Sequence, residues 1–348
     1  MRADSTHAES VVLAQKRKAV LLNDTTVDRH HGCSTVTESI RNLAAAAGID
    51  VVAASPAHLD WRENAAVTAA IDGSDLVIVN GEGTIHHDRP AGGRLLAAGR
   101  YALSRGKATA LINATWDSNG AEFCEMARSF DIISVRESAS KSALAVAGIP
   151  SRVVPDLAML HQPAPAATRS GVAYSDSVIG SDAIEIYRRM RSMQALPVSM
   201  LFGRKSARDL AVSIRRFMQG KSILDVRALA DAVRGARIDW TSQISERDEF
   251  SRFVASRSCI VTGRFHMLVF CLSSSTPFLA VESNTHKIGA TLKDSGLHSW
   301  RLTTPALIAP AALDRAGRWH DDELRALHAY VDSGRRGMRE LFTDMASI

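Results

Sequence analysis

The chain has few cysteines, and they are not arranged as a disulfide or zinc site would require. Cys33, Cys124, Cys259 and Cys271 are the only ones among 348 residues, with no C-x-x-C pair and no His/Cys spacing typical of zinc. Neither a metal knuckle nor a disulfide framework is therefore indicated. We expect a cytoplasmic protein in a reducing compartment, with no bound metal and no cofactor.

Long apolar runs are also missing from the sequence. No run approaches the roughly 18 residues of a membrane span, because charged or turn residues interrupt each of them. The N-terminal MRADSTHAESVVLAQKRK has acidic residues first and a basic cluster after a brief apolar VVLA, the reverse of a secretory signal. Residues 1–16 are therefore predicted to form a frayed tail.

Aromatic residues make up 5% of the chain and the basic residues are dispersed, so no nucleic-acid-binding motif stands out. The net charge of +5 still favours anionic small molecules, or the inner face of a membrane, as partners. There is no P-loop, no G-x-G-x-x-G fingerprint, no G-x-S-x-G elbow and no H-E-x-x-H pair. Nucleotide binding by those routes and the corresponding hydrolase chemistries are disfavoured.

Short apolar runs rich in Val and Ile alternate with segments of helical period, the pattern of βαβ units and parallel sheets. Strands are predicted at 18–24, 49–54, 75–80, 107–114, 131–136, 151–156, 171–176, 196–202, 221–226, 236–240, 259–263 and 277–283. Helices are predicted near 35–47, 62–71, 91–105, 120–129, 138–147, 181–194, 207–219, 246–257, 265–274 and 286–295. The fold class expected is α/β.

The length suits two compact domains. We predict an N-terminal Rossmann-like domain at 17–160, a Pro/Ala-rich linker at 161–170 and a C-terminal Rossmann-like domain at 171–318. A final amphipathic segment, 319–348, is expected to be helical apart from Ser333 and Gly334 and to pack across both domains. Ligands of such sheets bind at the carboxyl ends of the strands, so the site is expected in the cleft between domains.

The stretch CIVTGRFHMLVFCL places two polar side chains, Arg264 and His266, between an apolar strand and an apolar helix. A helix N-terminus carries unpaired N–H groups and partial positive charge, and a nearby Arg adds a bidentate cationic fork, so an anion site is predicted. The alternative has equal weight on spacing alone: Arg264 pairs with a surface carboxylate and His266 makes a core hydrogen bond.

DIISVRESAS has the same construction, since an apolar strand delivers Arg136 to its carboxyl end immediately before a helix. Arg136 is thus a candidate for a second anion-binding arginine. An ion pair of Arg136 with Glu137 or with Asp156, serving only to order the loop, is slightly favoured by the sequence pattern.

The loop NGEGTIHHD, residues 80–88, follows another strand and concentrates titratable groups, namely Glu82, His86, His87 and Asp88. Its glycines permit close backbone approach, so a substrate loop is predicted. Adjacent histidines on an extended loop point in opposite directions and make a poor chelate, which disfavours a metal here.

Two further segments carry candidate groups. DRHHGCSTV follows the first strand, and its His30 and His31 either reach the cleft or face water, with Ser34 or Thr35 placed to cap the next helix. Lys287, at the start of a later helix, is a third candidate for contacting an anion.

Together these segments resemble the polysaccharide pyruvyl transferase family, which transfers the carboxyvinyl group of phosphoenolpyruvate to sugar hydroxyls and closes it into a pyruvate ketal. The matching pieces run in family order: DLVIVNGEGTIHHD, SVRES, VVPDLAML and TGRFHMLVFCLSSSTPFLAVESNTHKI. The resemblance implies a fold similar to GT-B glycosyltransferases, with two Rossmann-like domains. It also implies a role in bacterial surface polysaccharide biosynthesis, such as that of a capsule or exopolysaccharide.

By the same resemblance Arg264 is a phosphoenolpyruvate-binding residue, His266 is catalytic, and Arg136 is a second arginine brought from the other domain. Phe265 falls between the first two, where its backbone is expected to touch the ligand. The acceptor is expected to be a saccharide or a lipid-linked oligosaccharide at the inner membrane face. Glu82 and His86 are candidates for activating its hydroxyl, although HHGCSTV departs from the N-terminal segment common in the family.

Two other functions fit the predicted fold. One is a GT-B glycosyltransferase that uses a nucleotide sugar, since function belongs to the site rather than to the fold. The other is a noncatalytic saccharide-binding protein, against which the presence of Arg136, Arg264 and His266 argues.

Overall fold

The computed structural model describes residues 16–163, 166–203 and 244–348. Most of the predicted N-terminal tail lies outside these residues, as do the strands predicted at 221–226 and 236–240 and the helix predicted at 207–219.

The first half of the chain forms a parallel six-stranded sheet with the strand order β2-β1-β3-β4-β5-β6. All six predicted strands are present: β1 Arg17–Asp24, β2 Ile49–Pro56, β3 Leu76–Asn80, β4 Ala108–Ala114, β5 Ile132–Val135 and β6 Arg152–Val153. The last of them is much shorter than the predicted 151–156. The central strands β3, β4 and β5 are buried almost throughout, which is why they read as continuous apolar runs rather than as alternating ones.

Helices connect these strands, as the helical period predicts: α1 His31–Ala46, α2 Ala65–Asp72, α3 Pro90–Leu103, α4 Ala121–Ala127 and α5 Ser138–Val146. The expected cap at Ser34 or Thr35 is wrong, because α1 already begins at His31. His30 occupies the N-cap position with an extended backbone, and its Nδ1 accepts the Cys33 N–H at 3.4 Å.

The second half forms a parallel five-stranded sheet with the order β11-β10-β9-β7-β8. Its strands are β7 Val172–Ser177, β8 Leu196–Pro197, β9 Cys259–Gly263, β10 Phe278–Val281 and β11 Leu302–Thr303. The strand predicted at 196–202 is much shorter than expected: Pro197 lacks an N–H for the ladder and lies on the edge strand β8. The short β11 was not predicted.

Helices of the second half are α6 Gly180–Ser192, α7 Arg247–Ala255, α8 Phe265–Ser273, α9 Lys287–Asp294, α10 Pro310–Ala316 and α11 Asp321–Ser347. Of these, α10 was not predicted. Two parallel sheets with connecting helices confirm the α/β fold class predicted from the sequence.

The C-terminal helix α11 is continuous, so the predicted interruption at Ser333 and Gly334 is wrong. Packing overrides the low helix propensity of glycine, since a Cβ at Gly334 would lie 2.9 Å from Pro155 Cγ. Arg335 Nε donates to Met159 O at 3.1 Å on the same face. The helix therefore lies against the segment that leaves the first sheet, and it also contacts α1 and α8.

One apolar core runs between the sheets and includes side chains from β1, β3, α1, α8, β10 and α11. Among the described residues, no helix is both long enough and apolar enough to cross a membrane.

Candidate active site

A cleft of about 110 Å³ lies where the carboxyl ends of strands from both sheets meet. Six of the seven predicted site residues line it: Glu82, Arg136, Arg264, Phe265, His266 and Lys287. They come from four separate stretches of the chain and meet because the parallel topology brings strand ends to one edge of each sheet. His30, Gly83, Val178 and Ser283 complete the lining.

The turn from β9 into α8 places Arg264 and His266 at this cleft. Arg264 is the N-cap residue of α8, and its N–H donates to Thr262 Oγ1 at 2.9 Å. Gly263 lets the turn lie close to β7, because a Cβ there would be 2.6 Å from Ser177 Cβ. The first amides of α8 have no partner within the helix, so this end offers hydrogen-bond donors and partial positive charge.

Arg264 is held by Asp176, a carboxylate that the sequence analysis did not single out. Nε and Nη2 of Arg264 donate to the two carboxylate oxygens at 2.6 and 2.9 Å. Asp176 is buried near the end of β7, so the alternative of a pair with a surface carboxylate is wrong. The two-point contact sets the orientation of the guanidinium plane before any ligand arrives.

Arg136 is almost completely buried and pairs with Asp156 at 2.9 Å. Its guanidinium also donates to Thr115 Oγ1 and to the Glu82 carbonyl oxygen, and it lies 4.4 Å from the Phe265 ring centroid. The Arg136–Asp156 ion pair anticipated as the alternative is therefore present. Arg136 nevertheless lines the same cleft as Arg264, so this arginine both forms the ion pair and belongs to the site.

His266 is 9% exposed, and its Nε2 lies 3.4 Å from Glu82 Oε1 and 3.6 Å from Asp156 Oδ2. Nε2 makes no hydrogen bond to any residue that the structure describes. Burial by itself raises the pKa of Asp156, but His266 and Arg136 outweigh it and hold that pKa well below its usual range. A carboxylate that stays ionised thus faces both Arg136 and His266.

Glu82 sits in a strained turn directly after β3, with a φ of 38° that non-glycine residues rarely adopt. Its Oε2 accepts from Asn80 Nδ2 at 3.3 Å, and its backbone carbonyl accepts from Arg136. Strain of this kind costs about 1–3 kcal/mol and persists where surrounding contacts enforce it. The turn directs the Glu82 carboxylate toward His266.

Lys287 lies in the cleft, and its Nζ donates to Asn284 Oδ1 at 3.2 Å. Burial, together with nearby Arg136 and Arg264, lowers the pKa of Lys287 to about 8, against an opposing effect of Glu137. Its charge therefore depends on pH in a range where the arginines stay cationic.

His86 is the one predicted residue that does not line this cleft. The expectation that His86 and His87 point in opposite directions is wrong, because their Nδ1 atoms lie 2.9 Å apart. His87 has a φ of 55°, so the loop is not extended there. Burial is the main cause that lowers the pKa of His86 to about 4.

His30 and His31, in the segment after β1, lie in different environments. His30 lies in the cleft with its ring centroid 5.3 Å from that of His266. Burial, with His266 and Arg264 nearby, lowers the pKa of His30 well below its usual range. His31 is a core residue whose Nε2 lies 2.8 Å from the Ile244 carbonyl oxygen and whose ring stacks on Phe250.

His286 joins the two halves of the chain, although the sequence indicated it only as part of the H-K pair of a longer motif. Its Nε2 lies 3.2 Å from Glu137 Oε1, and its Nδ1 lies 3.2 Å from Asp117 Oδ2. The hydrogen bond with Glu137 is the main cause that raises the pKa of His286. Close by, the Ser138 N–H donates to Asp294 Oδ2 at 2.7 Å across the same boundary.

A larger cavity of about 260 Å³ adjoins the cleft and shares Glu82 and Gly83 with it. Polar side chains line much of it: Asn23, Thr25, Asp28, Ser55 and His58 come from the ends of β1 and β2 or the turns after them, and Arg94 comes from α3. Asp28 and His58 pair there at 2.6 Å. The sequence indicated a substrate loop at Glu82 but carried no sign of this cavity, whose wall comes from distant segments.

The sequence profile of the polysaccharide pyruvyl transferase family matches residues 17–285, the segment that contains both sheets' central strands and every residue of the cleft except Lys287. The chain belongs to this family. Among curated proteins, no match was found.

Solved structures related to this chain share its fold at low sequence identity. The Anabaena protein Alr3699/HepE in complex with UDP is 11% identical with a TM-score of 0.50, covering 94% of this chain and 100% of that one. The Staphylococcus aureus MnaA–UDP structure is 12% identical with a TM-score of 0.49, covering 91% of each chain. Escherichia coli heptosyltransferase II is 13% identical with a TM-score of 0.39, covering 91% of this chain and 99% of that one. The two parallel sheets with connecting helices confirm the GT-B-like fold, with two Rossmann-like halves, that the sequence analysis predicted.

Proposed function

We propose that the protein is a ketal pyruvyltransferase, which transfers the carboxyvinyl group of phosphoenolpyruvate to a saccharide and releases phosphate. The observation that carries the proposal is the convergence of Arg136, Arg264, Lys287 and His266 on one small cleft at the N-terminus of α8. The family match supports transfer to a polysaccharide in general terms. The donor and the chemistry rest on the geometry of the cleft.

The cleft suits a small, highly charged donor. Phosphoenolpyruvate carries roughly three negative charges near neutral pH, and guanidinium forks bind carboxylate and phosphate with two parallel hydrogen bonds. Asp176 and Asp156 hold Arg264 and Arg136 in place, so little ordering is required when the ligand binds. Lys287 and the first amides of α8 add positive potential beside them.

The reaction needs one proton donor and one proton acceptor near the enol phosphate. As a sugar oxygen bonds to C2, His266 donates a proton to the methylene carbon, which becomes the methyl group. Glu82 takes the proton of the attacking hydroxyl; its carboxylate lies 3.4 Å from His266 Nε2, close enough to serve the same reaction centre. Asp156, on the other side of His266, orients the ring and pairs with it when it is protonated.

A second hydroxyl of the same sugar then bonds to C2 while the bond from C2 to the phosphate oxygen breaks. The proton of this second hydroxyl leaves with the phosphate. Glu82 returns the proton of the first hydroxyl to His266, 3.4 Å away, and so replaces the proton that His266 gave to the methyl group. The product is a cyclic pyruvate ketal. This step requires both hydroxyls to reach the same carbon, which favours an acceptor fixed next to the cleft.

The adjoining cavity of about 260 Å³ is the acceptor site in this proposal. Its amide, hydroxyl and carboxylate groups, among them Asn23, Thr25 and Asp28, are the side chains that hydrogen-bond sugar hydroxyls. Glu82 lies on the boundary of the cavity and the cleft, where a base for the acceptor hydroxyl is needed. His86 lines neither space, so we assign the base role to Glu82 alone.

A nucleotide-sugar glycosyltransferase is the competing function that the fold allows. A cleft of about 110 Å³ at the arginines is small for a nucleotide sugar but suits a three-carbon phosphorylated acid. A saccharide-binding protein without activity would have no use for a buried imidazole between two carboxylates.

The test is incubation with phosphoenolpyruvate and a panel of glycans, followed by mass spectrometry for the added pyruvyl group and by assay of released phosphate. We expect both signals with wild-type protein and a loss of at least 100-fold in rate for His266→Gln. His328→Gln, a change at an exposed histidine of α11, should keep the full rate. A new glycosidic bond and free nucleotide would identify a glycosyltransferase, and no product with either donor would contradict the proposal.

A further inference from the structure

Three potential metal-binding side chains converge beside the cleft. One ligand atom each from His30, Cys33 and His266 lies within 4.8 Å of the other two. Glu82 Oε1 is a fourth possible ligand, since it lies 3.4 Å from His266 Nε2. The Cys33 thiol lies within hydrogen-bonding reach of the Glu82 carboxylate.

We propose that His30, Cys33, His266 and Glu82 form a binding site for a thiophilic divalent cation of the zinc type. Zinc takes four ligands in a tetrahedron, with thiolate, imidazole and carboxylate as its usual donors. Bonds of about 2.0–2.3 Å place tetrahedral ligand atoms about 3.3–3.8 Å apart. The ligand atoms of His30, Cys33 and His266 lie within 4.8 Å of one another, so small side-chain rotations reach that spacing, and the Glu82 carboxylate must turn toward them to supply the fourth ligand.

The missing hydrogen bond of His266 Nε2 is a second, independent observation that favours a bound ligand here. Nε2 of this side chain, 9% exposed, makes no hydrogen bond to any described residue, although carboxylate oxygens lie 3.4 and 3.6 Å away. A buried nitrogen without a partner is costly, and coordination of a cation by its lone pair would remove that cost. The neighbouring His30 ring lies 5.3 Å away, centroid to centroid.

The charges of the site also suit a divalent cation. A thiolate at Cys33 and the Glu82 carboxylate together supply two negative charges, and two neutral imidazoles complete the set. The positive charges of the two cleft arginines are offset by carboxylates, because Arg136 pairs with Asp156 and Arg264 with Asp176, so they repel a bound cation less. Hard cations such as magnesium would be disfavoured, since they prefer oxygen ligands.

Packing holds two of the ligand-bearing segments together. Gly32 lies between His30 and Cys33, and a Cβ on it would be 2.2 Å from His266 Cγ. Only a glycine allows the first turn of α1 to approach His266 this closely. The same contact explains why spacing along the chain gave no hint of the site: His266 is distant in sequence and reaches Cys33 only in the fold.

The metal is a competitor of the reaction and not its cofactor, a consequence that rests on the proposed function. A cation bound to His266 Nε2 occupies the lone pair that must carry the proton for the methylene carbon. The same cation would bind the Glu82 carboxylate, which could then no longer take the proton of the acceptor hydroxyl. Zinc bound here would therefore switch off pyruvyl transfer, and a chelator would restore it.

The direct test is titration of chelator-treated protein with Zn²⁺ by calorimetry, and with Co²⁺ by absorption spectroscopy, in the absence of phosphoenolpyruvate. We expect about one equivalent of each cation and a near-ultraviolet thiolate-to-cobalt charge-transfer band with visible bands of tetrahedral cobalt. Cys33→Ser should remove the charge-transfer band and weaken Zn²⁺ binding at least tenfold. Cys124→Ser, a matched change at a thiol outside the cluster, should retain both.

His30→Gln provides a second variant that does not involve the thiol, and it should also weaken Zn²⁺ binding while leaving the circular dichroism spectrum unchanged. Zn²⁺ binding equally tight in Cys33→Ser and wild type, or no binding at micromolar Zn²⁺, would overturn the proposal. Because no turnover is measured, this result is independent of pyruvyl transfer. If turnover is observed, the ratio of rates with and without Zn²⁺ should fall at least tenfold for wild type and much less for Cys33→Ser.

Discussion

Arg136 and Asp156 form an ion pair of 2.9 Å in which each side chain is only 1% exposed, so two full charges face each other away from water. Burying such a pair costs desolvation energy that the attraction and additional hydrogen bonds must offset. Arg136 makes those bonds by donating to Thr115 Oγ1 and to the Glu82 carbonyl oxygen. The pair therefore fixes a cationic group at the cleft and joins the end of β5 to the segment after β6.

Breaking this pair is expected to destabilise the fold strongly. Asp156→Asn leaves the Arg136 charge buried without its counterion, which typically costs about 3–5 kcal/mol of unfolding free energy. Denaturant titration measures the change. Asp344→Asn, which breaks the exposed Arg152–Asp344 pair, is the matched control and should cost at most about 1 kcal/mol. Equal losses in the two variants would contradict the account of Arg136.

The contact between Gly32 and His266 predicts a specific loss of activity. In Gly32→Ala the new Cβ would lie 2.2 Å from His266 Cγ, so the imidazole must move. A displacement of about 1 Å at a reacting group can cost about 100-fold in rate. Turnover with phosphoenolpyruvate should fall by about that factor while the protein stays folded.

Gly73→Ala is the control for that change, since a Cβ at Gly73 meets its nearest atom at 3.6 Å and the residue has an ordinary negative φ. We expect wild-type turnover for this variant. Full activity in Gly32→Ala would show that His266 tolerates the shift and would remove its assigned role as proton donor.

The Lys287 ammonium should make donor capture dependent on pH. Its pKa of about 8 means that the side chain is charged below that pH and neutral above it. The kcat/KM for phosphoenolpyruvate, which reports the free enzyme, should fall as pH rises through about 8. Lys287→Met should have a lower kcat/KM that lacks this decline. A decline of the same size at the same pH in both proteins would assign it to another group.

His286 should make the junction between the two halves sensitive to pH. The pKa of His286 is raised in the folded protein, with the Glu137 hydrogen bond as the main cause and Asp117 also contributing. Its stabilising contribution is therefore full below the unfolded value of about 6.5 and is lost as pH rises through the raised folded value. The groups that face the ring are Glu137, Asp117 and the Ser140 hydroxyl.

The measurement is the difference in unfolding free energy between wild type and His286→Gln across that pH range. We expect the difference to be largest at low pH and to shrink as pH rises. His58→Gln, at an exposed histidine paired with Asp28, is the control for a general effect of removing a histidine. A difference for His286→Gln that is constant with pH would argue against a charged ring at this contact.

Much of the fold was predictable from local pattern. The strands β1, β3 and β4 are buried on both faces and therefore consist of nearly continuous apolar residues, a pattern that can be recognised from each segment alone. The elements that were missed, such as β11 Leu302–Thr303, are too short to show a period. The unbroken α11 was missed because contact with Pro155, and not helix propensity, decides the conformation at Gly334.

The candidate site was predictable to the extent that it depends on strand ends. Arg136, Arg264 and Glu82 each follow a strand, and parallel topology places such residues at the carboxyl edge of their own sheet: the first sheet for Arg136 and Glu82, the second for Arg264. The carboxylates that hold the arginines were harder to find. Asp156, which follows β6, was one of two partners that the sequence suggested for Arg136, whereas nothing in the local sequence pairs Asp176, near the end of β7, with Arg264.

By itself, the order of residues determined which segments become strands and helices and which polar groups stand at strand ends, because burial periodicity and capping are local properties. Only the tertiary structure decided which of these groups meet. The pairing of Arg264 with Asp176 depends on β7 and β9 being neighbours in the second sheet. The meeting of Cys33 with His266 depends on how the two sheets pack, because distances between segments remote in the chain are set by the shared core and not by any local pattern.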